Sequence, residues 1–69
     1  MEQWCIIFIN DVSRKPITSA SSNIVPGVNA HIDISKEEYI VVGELLDYVT
    51  CIAKIFVRKA VGYDIHYMK

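Results

Sequence analysis

The chain has 69 residues and a formal net charge of -1, from seven basic and eight acidic side chains, so it has no long-range field to gather nucleic acid or an anionic membrane. Hydrophobic residues make up 52% and charged residues 22% of it, which excludes a disordered chain and predicts one small domain, 1–69, with a dense core. Its two cysteines, Cys5 and Cys51, are too few for a secreted disulfide framework and predict reduced thiols in a cytoplasmic protein.

The N-terminus, "MEQWCIIFIN", is acidic where a signal peptide is basic, and its apolar run is short, so no targeting segment is expected. From Gln3 to Ile9 both alternating faces are apolar, the pattern of a central strand or of one covered on both sides. Asn10 to Pro16 ("NDVSRKP") reads as a turn, because Asn, Asp, Ser and Pro each favour turn geometry. Ile17 to Asn23 ("ITSASSN") is the least hydrophobic stretch and reads as an edge strand or a loop. Pro26-Gly27 suits the centre of a type II turn. From Val28 to Ile34 the residues alternate, with Val28, Ala30, Ile32 and Ile34 on one face and Asn29, His31 and Asp33 on the other, a half-buried strand.

"ISKEEY" carries the elements of a helix start. Ser35 is an N-cap residue, Glu38 completes a capping box, and Ile34 and Tyr39 are placed as a hydrophobic staple. With Arg58 and Lys59 near the far end and Gly62 as a C′ residue, the pattern predicts a helix from Lys36 to Val61. The competing reading takes Glu37 to Gly43 as a strand hairpinned to "HIDIS", with the helix starting near Gly43, because Ile40, Val41 and Val42 favour strands. Tyr63 to Met68 alternates again and predicts a last strand. The fold class expected is α+β: a three- or four-stranded, mostly antiparallel sheet packed against one long helix, in the order β-β-β-α-β.

Such a helix has more apolar surface than one sheet can cover. Val42, Leu45, Val49, Ile52, Phe56 and Ala60 form a core stripe; Val41, Tyr48 and Ile55 form a second row, and Leu46, Ala53 and Val57 a third. It would run about 39 Å at ~1.5 Å per residue, longer than a domain of this size is wide. The surplus predicts self-association through Val41, Tyr48, Cys51 and Ile55, with Asp47, Lys54 and Arg58 as a polar rim.

The function expected is a cytoplasmic protein-binding module that occupies a surface: a stand-alone inhibitor or adaptor of the kind phages and mobile elements encode, working as a homodimer with a protein partner. No cofactor, membrane span or enzymatic activity is expected; no nucleophile elbow or phosphate-binding glycine loop is present. One alternative is nucleic-acid binding through Lys54, Arg58 and Lys59. A more distant one is a metal or acid–base site at His31, Asp33, Asp64 and His66, which requires their two strands to be neighbours.

Overall fold

The computed structural model describes residues 3–60, and among them every regular element is a strand. β1 runs Trp4–Asn10, β2 Pro16–Ser22, β3 His31–Ile34, β4 Glu37–Asp47 and β5 Ile52–Lys59. They form one curled sheet in the order β2-β1-β5-β4-β3. All neighbours are antiparallel except β1 and the central strand β5, which are parallel.

This overturns the expected α+β fold. The predicted helix is the β4–β5 hairpin, and the supposed capping box is a two-residue β-turn between β3 and β4. Ser35 (φ 53°) and Lys36 (φ 68°) both take the left-handed conformation, as the favoured two-residue hairpin turn requires. The rival strand reading of Glu37 to Gly43 describes the first part of β4, but no helix starts at Gly43. Instead, Gly43 follows a β-bulge that shifts the β4–β5 register between Val41 and Gly43. The strand predicted from Tyr63 to Met68, and Gly62 with it, lies outside the described residues.

The two longer hairpins turn the same way. At the end of β1, the Asn10 side-chain oxygen accepts the N–H groups of Val12 (2.9 Å) and Ser13 (3.1 Å). At the end of β4, an Asp47 carboxylate oxygen accepts those of Val49 (3.0 Å) and Thr50 (3.3 Å). Each turn then closes through a left-handed residue, Arg14 (φ 62°) or Cys51 (φ 57°). "NDVSR" and "DYVTC" are thus one turn built twice: an Asx oxygen organises the bend, and the fourth residue on reverses it.

The core lies on the concave side. Ile6, Tyr39, Val41, Ala53, Ile55, Val57 and Ile34 are buried there, with Trp4, Phe8, Ile17, Val25 and Leu46 packed around them. The β2–β3 connection joins the two edges of the sheet and contributes Val25 and Ala30 to this core. It is tied to β4 by hydrogen bonds from Asn29 N–H to Val41 O (2.8 Å) and from Val41 N–H to Ala30 O (2.9 Å). Its reversing residue is Asn29 (φ 74°) and not Gly27, so the turn falls two residues beyond the expected Pro26-Gly27 centre. The helical stripe inverts: Leu45 and Val49, expected in the core, are 59% and 93% exposed.

A candidate protein-binding face

The convex side of the sheet is built from the alternate residues of the same strands. Paired residues share a face, so the register fixes its layout. One row reads Ser21, Cys5, Ile52, Asp47 across β2, β1, β5 and β4; the next reads Ser19, Ile7, Lys54, Leu45; the third reads Pro16, Ile9, Phe56, Gly43. Ile7, Ile9, Ile52 and Phe56 are half-buried by their neighbours on the sheet, and Leu45 is exposed. No second layer of described residues covers them. A groove of about 590 Å³ runs along the β2 side, lined by Cys5, Ile7 and Pro16 to Ser19.

Charge on this face is sparse and placed. Lys54 is exposed at the middle of the apolar rows, between Ile7 and Leu45. The Arg14 guanidinium lies 5.7 Å from the centre of the Phe56 ring, a cation–π distance, and also 3.8 Å from Asp11. Asp47 sits at the corner. The Thr50 and Val49 N–H groups hold its carboxyl below the usual carboxylate value, with Lys54 a smaller contributor.

The predicted self-association residues do not form one surface. Val41 and Ile55 are fully buried in the core. Tyr48 and Cys51 lie in the β4–β5 turn, where the Cys51 thiol points to the Tyr48 carbonyl (4.0 Å). The seven-residue spacing of Val41, Tyr48 and Ile55 made a row only on a helix. The predicted rim fares differently: Asp47, Lys54 and Arg58 all fall on the convex side, with Lys54 at its centre. Ile7, Ile9 and Phe56 were missed as surface residues, although the doubly apolar alternation of β1 signals a second face in need of cover.

The basic trio splits. Lys54 and Arg58 share the convex side roughly 13 Å apart along β5, while Lys59 alternates to the other side. There its Nζ lies 2.8 Å from the Glu37 carboxylate, which also accepts the Tyr39 hydroxyl at 3.3 Å. For metal chemistry, His31 and Asp33 lie on edge strand β3, and Asp64 and His66 lie outside the described residues. Among the described residues no three His, Cys, Asp or Glu side chains are grouped to hold a metal ion. His31 Nδ1 and Glu38 Oε2 are buried without a hydrogen-bond partner, on residues that lie diagonally across β3 and β4, two register positions apart. No helix among the described residues is long and apolar enough to cross a membrane. Comparison of the chain with known protein families, curated proteins and solved structures finds no match.

Proposed function

We propose that this chain is a protein-binding module that works by occupying a surface, and that its working surface is the convex face of the sheet. The observation that carries this reading is the open apolar lattice of Ile7, Ile9, Ile52, Phe56 and Leu45 around a single central cation, Lys54. Large exposed apolar patches on small domains mark sites of interaction. The partner that fits has an apolar surface with a carboxylate at its centre to meet Lys54 and a second near Arg14. The cytoplasmic setting belongs to the same proposal and is supported by the presence of only two cysteines, too few for a secreted disulfide framework.

A peptide library selected on the purified protein tests it. The expected binders carry Asp or Glu between apolar residues. Leu45→Glu weakens them by at least about tenfold, and Lys54→Glu turns the selection toward Lys and Arg. Binders that ignore both substitutions, or a selection without enrichment, would overturn the reading.

A further inference from the structure

The two edges of the sheet are not alike. β3 is short, His31–Ile34, carries His31 and Asp33, and is followed by Lys36 in the turn. Short length and charge are the usual guards against edge pairing. β2 has neither guard. "PITSASS" contains no charged residue, and its proline is at the first position, beside a bulge, where it blocks nothing further along.

The hydrogen-bond pattern shows which groups this edge offers. Cys5 N–H donates to Cys51 O and Asp11 N–H to Val57 O, while Asn10 N–H donates to Lys15 O. Odd residues of β1 therefore bond toward β5 and even ones toward β2. Thr18 and Ala20, opposite Phe8 and Ile6, spend their backbone groups on β1. By alternation, Ser19 and Ser21 direct their N–H and C=O groups away from the sheet.

From this we infer that β2 pairs antiparallel with β2 of a second copy of the chain, about a twofold axis at Ala20. Ser19 of each copy then lies opposite Ser21 of the other, and the outward groups exchange four backbone hydrogen bonds. The arrangement is self-complementary, and a chain of net charge -1 does not repel its copy. The twofold axis stands normal to the sheet, so both convex faces point the same way.

Area gives the pairing its purpose, and here the inference rests on the proposed function. Four strands at ~4.8 Å spacing and three rows at ~6.7 Å give one convex face a footprint of roughly 400 Å². A stable interface takes about 800 Å² from each partner. One copy supplies half of that, and two copies joined through β2 supply one continuous face of the required size.

The test is the solution mass over a dilution series from roughly 10 µM to 1 mM, a range that captures weak dimers. The mass is expected to rise from 7.8 kDa toward twice that value. Ser19→Pro removes an outward N–H without touching the β1–β2 ladder and is expected to stay monomeric with an unchanged circular dichroism spectrum. If that variant does not fold, Ser19→Lys with Ser21→Lys serves instead, because it sets like charges opposite one another only in the dimer. Slowed hydrogen exchange at Ser19 and Ser21 in the concentrated sample marks the edge directly. Wild type that remains monomeric, or a dimer that survives both variants, overturns the inference. So does a dimer lost only in Leu45→Glu, which would place the contact on the convex face. Peptide selection on the monomeric variant reads the convex face separately, so the two ideas can fail independently.

Discussion

The indole of Trp4 meets the ring of Tyr48 edge-on, with centroids 5.2 Å apart and planes at 80°. This contact fastens the start of β1 to the β4–β5 turn, where β1 and β5 begin their parallel run. Tyr48 is 74% exposed, so the pair sits at the low end of aromatic contact energies. Tyr48→Ala is expected to cost about 0.5 kcal/mol, a fall in melting temperature of roughly 2–4 °C. An unchanged melt would show that the rings touch without stabilising.

The core and the convex face respond differently to truncation. Ile55 is fully buried, and Ile55→Ala is expected to cost about 2–5 kcal/mol. A chain of this length has a total stability of only roughly 3–10 kcal/mol, so that variant loses from about a fifth to all of it. Leu45→Ala, on the open face, stays within about 0.5 kcal/mol of wild type. Urea midpoints measure both, and a large loss at Leu45 would place that residue in the core.

The β3–β4 turn carries removable strain. Ser35 and Lys36 hold positive φ with side chains that disfavour it, at about 1–2 kcal/mol each. Ser35→Asn with Lys36→Gly installs the pair this turn prefers, and a gain of about 1–2 kcal/mol is expected in denaturant unfolding. A loss of stability would mean that one of these side chains contributes more than its backbone costs.

Two limbs are expected in the pH dependence of stability. The hydrogen bond and charge of Lys59 hold Glu37 below its ordinary 4.5. The stabilisation from Glu37 is therefore present above that value and is lost as pH falls through the lower, folded one. Asp47, held below its ordinary 3.8 by turn N–H groups, adds to the same acid limb. Glu37 raises Lys59 above its ordinary 10.5, so that contribution is present below 10.5 and is lost as pH rises through the folded value. In Lys59→Met the alkaline limb attributed to this pair disappears, the acid limb shrinks, and the part from Asp47 remains. Both groups of the ion pair are exposed, so added salt weakens its share.

Much of the sheet was legible in the sequence. The doubly apolar run at β1 marked a central strand, the turn after Asn10 came from its residue types, and the alternation of Ile32 and Ile34 marked β3. The β4–β5 hairpin was hidden by a change of phase. Before the bulge, odd residues of β4 (Tyr39, Val41) face the core; after it, the even residue Leu46 does. β5 is apolar on both faces, with Ala53, Ile55 and Val57 inward and Ile52 and Phe56 outward. A broken period of two with apolar residues on both sides imitates a broad helical stripe. The surplus apolar surface assigned to that helix is the outer face of the sheet, where no second layer of described residues covers Ile7, Ile9, Ile52 and Phe56.

The parallel pairing of β1 with β5 also sets a schedule. β1 is the first of the five strands to be synthesised and β5 the last, and Cys5 pairs with Ile52. At ~5–20 residues per second, β1 waits roughly 2–10 s on the ribosome before its central neighbour exists. The β1–β2 and β3–β4 hairpins can close locally within that time, but neither of them covers the β5 side of "WCIIFIN". Contacts this distant in sequence also slow the final closure. In the nascent chain, β1, an interior strand of the finished sheet, therefore carries an unpaired and strongly apolar edge until synthesis reaches β5.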